Sequence, residues 1–178
     1  MLIPRMPAPD LTVRTLDHGE FDLGRETPPL MTLICFYRGI HCPVCGTYLK
    51  ELERLTLSFA ERGVTTIAIS SDGEKRARQM ADKIGAERLR IGYGLPLSVA
   101  KLWGLYISKS RGSTSIGIEE PELFSEPGVF LISPDKSVYW LSVQSMPFAR
   151  PNFSEMVQAL DFVVKNSYPA RGEYTGAV

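Results

Sequence analysis

The sequence predicts one α/β domain: a central mixed sheet flanked by helices, with a hairpin at the N-terminal end and an insertion before the third core strand. Three observations carry this. In the first half of the chain, apolar runs of strand length alternate with segments whose apolar residues recur at helical spacing. In the second half, two strand-like runs meet at a tight turn, so the sheet is parallel where the chain crosses over early and antiparallel where it turns back late. The length, 178 residues, suits one hydrophobic core rather than two, so residues 1–178 are expected to form a single domain.

Taken in order, Leu11–Val13 and Glu20–Leu23 flank Asp17-His18-Gly19, whose turn chemistry predicts a hairpin. Leu30–Tyr37 is a near-continuous apolar run rich in branched and aromatic residues, as a strand buried on both faces requires. Tyr48, Leu49, Leu52, Leu55 and Phe59 then form one stripe of an amphipathic helix that begins near Pro43 and is stopped by Gly63. Val64–Ser70 reads as a second buried strand. Ser71-Asp72-Gly73-Glu74 offers a capping-box start to a helix that turns Ala77, Met80, Ala81 and Ile84 inward and closes at Gly85. From Ala86 to Glu126 the pattern weakens to an insertion with a short helix over Ser98–Leu105 and a loop over Ser108–Ser115. Gly128–Ser133 and Ser137–Val143 form a hairpin around Pro134-Asp135, and a last helix after Arg150-Pro151 buries Phe153, Val157, Leu160 and Val164. Strand, helix, strand, helix, insertion, strand, strand, helix is the connectivity of the thioredoxin-like fold.

Composition excludes several classes of partner. Twenty basic residues balance twenty acidic ones, so there is no electrostatic footprint for nucleic acid or anionic membrane. No apolar run approaches the roughly 20 residues of a membrane span, and Met1–Asp10, with three prolines, lacks the apolar core of a signal peptide. A cytoplasmic protein is expected. Three cysteines are too few for a disulfide scaffold, which draws attention to the spacing of two of them.

Cys42-Pro43-Val44-Cys45 stands where the first core helix begins. A cysteine attacks as thiolate, and a helix N-terminus favours negative charge through its unpaired N–H groups and the positive end of its dipole. Pro43 suits the first helical position, which makes Cys42 the cap residue. Cys45 lies one turn further, at a Cα separation of about 5 to 6 Å that a disulfide can span. It falls on the stripe of Tyr48, Leu49 and Leu52, so Cys45 is expected to be the more buried thiol and Cys42 to face solvent or a partner. This asymmetry is what exchange through a mixed disulfide requires. The alternative, half of a zinc site, lacks a second half: beyond Cys45 the chain has neither cysteine nor histidine. Cys35, in mid-strand, reads as an inert core residue. His41 either favours the neighbouring thiolate when protonated or fills space beside it. Arg38 and Arg150, permanently charged, either stabilise a thiolate or are solvated.

With these residues in view, Phe36-Tyr-Arg-Gly-Ile-His-Cys-Pro-Val-Cys45 resembles the active-site segment of the alkyl hydroperoxide reductase/thiol-specific antioxidant family, the peroxiredoxin-like proteins. Ala8-Pro9-Asp10-Leu11, Leu102–Tyr106 and Gly128–Ile132 resemble further segments of it, so nearly the whole chain is covered. The resemblance implies a thioredoxin fold, no cofactor, reduction of peroxides or disulfides with electrons from a thiol donor such as a thioredoxin or glutathione system, and a tendency to homodimers. Two departures stand out. Ordinary members carry Pro, then Thr or Ser four residues later, then the peroxidatic Cys three after that; counted back from Cys45, those places hold Arg38 and Cys42. Before the third strand, where the family usually has a peroxide-binding arginine, this chain has Pro127. Thioredoxin-type reductases carry a cis-proline near there, so Glu126-Pro127 is either cis beside the dithiol or a trans loop proline. Both departures move the expected function from peroxidase towards thiol-disulfide oxidoreductase, with thiol-dependent peroxidase as the alternative. A metal-binding or assembly module is the remaining alternative, and it is disfavoured because the only histidines, His18 and His41, precede Cys45.

Overall fold

The computed structural model describes residues 2–177. β1 (Thr12–Thr15) and β2 (Glu20–Asp22) form the expected hairpin, with Val13 opposite Phe21. A short 3-10 turn, Leu23–Arg25, leads to β3 (Met31–Phe36), α1 (Pro43–Glu61), β4 (Val64–Ile69) and α2 (Glu74–Ile84). Then come β5 (Arg90–Tyr93), α3 (Leu97–Leu102), β6 (Ile107–Lys109), β7 (Leu123–Ser125), β8 (Gly128–Ile132), β9 (Val138–Val143) and α4 (Phe153–Asn166). The main sheet runs β2-β1-β5-β4-β3-β8-β9, and β6 and β7 make a separate two-stranded ribbon. β3, β4 and β5 are parallel, while β8 lies antiparallel to both β3 and β9. The inner segment β4-β3-β8-β9 with α1, α2 and α4 is the thioredoxin-like core that the sequence predicts.

Pleating divides the apolar side chains between two faces of this sheet. Leu33 and Cys35 of β3, Ala68 of β4 and Leu131 of β8 pack with α1, α2 and α4. Their strand neighbours Ile34 and Phe36, Ile67 and Ile69, and Phe130 pack the other way, against α3 and the N-terminal hairpin. On that second face Phe130 meets Phe36 and Trp103 edge to face, at centroid distances of 5.6 and 4.9 Å. Phe130 is fully buried, so Phe130→Ala is expected to lower the unfolding free energy by about 3–5 kcal/mol, read from the midpoint of urea denaturation at unchanged slope.

The structure corrects the sequence reading at three places and decides a fourth that the sequence left open. The weak stretch after Ala86 contains β5, a full member of the main sheet, so the insertion contributes a strand before it leaves the core. The capping box at Ser71–Glu74 does not form: Gly73 caps α2 without a side-chain bond, and Asp72 is engaged elsewhere. In α4, Val164 is 54% exposed and Val163 packs against the core instead. Glu126-Pro127 is trans, as is every peptide bond among the described residues.

Candidate active site

The site is built at the C-terminal end of β3, where the chain leaves the sheet and turns into α1. Tyr37 N–H still donates to Ile69 O (3.0 Å), and the turn then closes through Cys42 N–H to Gly39 O (3.1 Å). Gly39 takes φ +137°, outside the range that side chains favour. The buried Asp72 carboxylate accepts the Ile40 N–H at 2.8 Å, tying the turn to the start of α2. Burial raises the pKa of Asp72, which that bond and the charge of Arg76 oppose. The turn delivers Cys42 in an extended conformation as the cap of α1, with Pro43 in its first turn.

Neither sulfur reaches the surface. Cys42 and Cys45 are both 0% exposed, which overturns the expectation that Cys42 faces solvent. The cover comes from the segment between β9 and α4, which crosses the start of α1 and lays Arg150 over the dithiol. Arg150 Nη2 donates to Cys45 Sγ at 3.1 Å and lies 3.9 Å from Cys42 Sγ. Arg150 Nε donates to Pro147 O (2.6 Å), and the guanidinium sits 4.9 Å over the Tyr48 ring. A cleft of about 390 Å³ opens beside it, walled by Val44, Tyr48, Phe148, Arg150 and Phe153.

Charge divides unequally between the two thiols. Cys42 is held below the ordinary thiol value, chiefly because the Cys45 thiol donates to it; burial opposes this, and the charge of Arg150 adds to it. Cys45 is pushed up, first by burial and then by its role as that donor, with Arg150 pulling the other way. The two shifts run in opposite directions, and both favour ionisation of Cys42 before Cys45. Cys35, raised by burial to about 12, stays a thiol.

The other residues singled out in the sequence lie apart from the sulfurs to different degrees. Arg38 turns into the insertion, pairing with Glu120 (3.2 Å) and Glu126 (3.4 Å) above the Phe124 ring, and is the weakest of the influences that lower Cys42. His41 is buried with its ring 4.8 Å from that of Phe124, and burial and the charge of Arg38 bring it down to about 4, so it is neutral at physiological pH. Pro127 is buried at the start of β8, where its carbonyl accepts the Gln144 N–H (3.0 Å). Asp72 and Tyr48 escaped the sequence reading as site residues: one looked like a helix cap, the other like one more member of an apolar stripe. Among the described residues no group of three or more His, Cys, Asp or Glu side chains is placed to hold a metal ion. No described helix is long and apolar enough to cross a membrane. A buried thiolate, a thiol within reach of it and a guanidinium bridging both can attack an electrophilic sulfur or oxygen and then close to a disulfide.

Comparison with known proteins places the fold. The fold is similar to that of peroxidoxin BcpB from Mycobacterium tuberculosis, at 17% identity and TM-score 0.70, over 92% of this chain and 99% of that one. It is similar to Enterococcus faecalis AhpC at 15% identity and TM-score 0.72, over 97% and 100%. The reduced 2-Cys peroxiredoxin of Plasmodium vivax matches at 18% identity and TM-score 0.74, over 100% and 92%. Among curated proteins none is similar in sequence. The sequence does match the AhpC/TSA family over residues 4–141, most of its length. The chain therefore belongs to the AhpC/TSA family and is an enzyme of thiol-dependent oxidation and reduction.

Proposed function

We propose that this chain reduces disulfides by dithiol exchange, with Cys42 as the attacking thiolate and Cys45 as the resolving thiol. The observation that carries this reading is the placement of the pair, with Cys42 as the cap of α1, Cys45 one turn inside it and Arg150 against both sulfurs. Cys42 Sγ attacks one sulfur of the substrate disulfide, the S–S bond breaks, and the other sulfur leaves as a thiolate. Cys45 then loses its proton to the medium and attacks Cys42 Sγ, which releases the second substrate thiolate and leaves a Cys42–Cys45 disulfide. Two electrons from a cellular thiol donor, such as a thioredoxin or glutathione system, restore the dithiol.

A second reading, thiol-dependent peroxidase, is favoured by one observation: Arg150 stands nearer Cys45 than Cys42, and Cys45 is the residue that the family pattern aligns with its peroxidatic cysteine. There a thiolate attacks the peroxide oxygen, the O–O bond breaks, water or an alcohol leaves, and the sulfenic acid condenses with the other thiol, releasing water. Both routes end in the same disulfide. They are separated by mixing the reduced protein with hydrogen peroxide, an alkyl hydroperoxide or a peptide disulfide, and following thiol loss in each. Disulfide exchange predicts fast loss with the peptide disulfide and slow loss at micromolar peroxide; the reverse order overturns the proposal in favour of the peroxidase.

A further inference from the structure

Among the described residues Arg150 is the one cation in contact with both sulfurs, yet it lies on a segment without regular secondary structure, preceded by the exposed Ala149 at φ +48°. Within the segment the Pro147 carbonyl holds its Nε, and its other holding contacts come from α1. Tyr48 is the residue on which the holding contacts converge. Its hydroxyl donates to the carbonyl of Pro151, the residue after Arg150, at 2.7 Å. Its ring lies 4.9 Å beneath the guanidinium and stacks on Phe153 of α4 at 4.3 Å and 29°. Tyr48 itself is fixed to α1 three residues after Cys45, on the same face, so the ring and the dithiol move as one body. Burial is the main cause that pushes its phenol up, so it stays a donor throughout the physiological range.

We propose that Tyr48 is a positioning residue: it holds Arg150 against the two sulfurs, by ring contact and through the carbonyl of the next residue, and thereby governs how far Cys42 is ionised. This rests on Cys42 being the thiolate of the pair but not on which oxidant it meets. A guanidinium attracts a thiolate most where water is excluded, so loss of the hydroxyl tie alone lets Arg150 drift and returns charge-stabilising work to solvent that the site does not admit.

The test is the pH profile of Cys42 alkylation, followed by mass spectrometry of the full-length reduced protein with iodoacetamide. The rate rises with pH as thiol becomes thiolate, so a weaker hold on the thiolate moves the midpoint upward. Tyr48→Phe, which keeps the ring and removes the hydroxyl, is expected to raise the midpoint by about half a unit or more; Arg150→Met should raise it further. In the Arg150→Met background, Tyr48→Phe should shift nothing more, because Tyr48 acts through Arg150. Ser154→Ala serves as the comparison, since it cuts a different bond between α4 and α1 (Ser154 Oγ to Glu51, 3.0 Å) and should leave the midpoint unmoved. The proposal falls if Tyr48→Phe leaves the midpoint unchanged, if its shift persists without Arg150, or if Ser154→Ala shifts it equally. The readout uses neither a disulfide nor a peroxide, so a protein inactive towards both would overturn the functional reading and leave this one standing.

Discussion

Cys42→Ser is expected to abolish reduction of disulfides, with a loss on the order of 10³-fold or more, because it removes the only thiolate the site provides at neutral pH. Cys45→Ser should behave differently. It leaves the nucleophile but removes the thiol that would release the substrate, so the protein reacts once and stops as a mixed disulfide at Cys42. Alanine at position 45 would also take away the S–H donor that is the largest cause of the low Cys42 value, so its single turnover should be slower at neutral pH and recover as pH rises. Mass spectrometry after exposure to a labelled disulfide reads both outcomes. A Cys42→Ser protein that keeps a thiol reacting rapidly with peroxide would assign the chemistry to Cys45 and invert the order of attack.

Gly39→Ala is expected to destabilise the fold by about 3 kcal/mol or more and to disorganise the dithiol turn with it. A Cβ at this position would lie 2.7 Å from one Asp72 carboxylate oxygen and 2.9 Å from the other, in a backbone conformation at φ +137°. The carboxylate cannot simply step aside, since it is buried and holds the Ile40 N–H. Gly94→Ala provides the contrast: its φ is +71° with nothing within 4 Å of the added atom, so only the conformational cost of about 1 kcal/mol applies. Urea unfolding of the two variants measures the difference. Equal losses would mean that Asp72 yields and that the turn is not braced as described.

The sheet core and three helices were legible because their side-chain patterns are set by burial on defined faces. Met31–Phe36 is buried at every position and announces itself as an apolar run. β5 was not legible, because Arg90-Ile-Gly-Tyr has little apolar character of its own and Gly92 is there for lack of room: a Cβ would lie 3.0 Å from Val13 and 3.1 Å from Ile69. The dithiol could be read from spacing, since a cap position and a proline at the first turn are local features. The burial of Cys45 could be read from its apolar stripe, but that of Cys42 could not, because Arg150 reaches it from 108 positions later in the chain. Asp72 misled for the same reason, since it looks like a local cap and instead serves Ile40, 32 positions away. Whatever depended on neighbours in sequence was readable, and whatever depended on a distant loop returning to the site was not.

The absence of exposed surface on either sulfur bears on kinetics. A sulfur that not even water touches reacts only in conformations that uncover it, so each observed rate is the product of an opening equilibrium and a chemical step. Different oxidants require different openings. A protein disulfide needs a wider opening of the Arg150 segment than a peroxide, which is little larger than water. Every 1.4 kcal/mol between those two excursions is a tenfold difference in apparent rate, with no change in the thiolate itself. The segment between β9 and α4, which lays Arg150 against both sulfurs, is thus the part of the chain whose opening such rates would report.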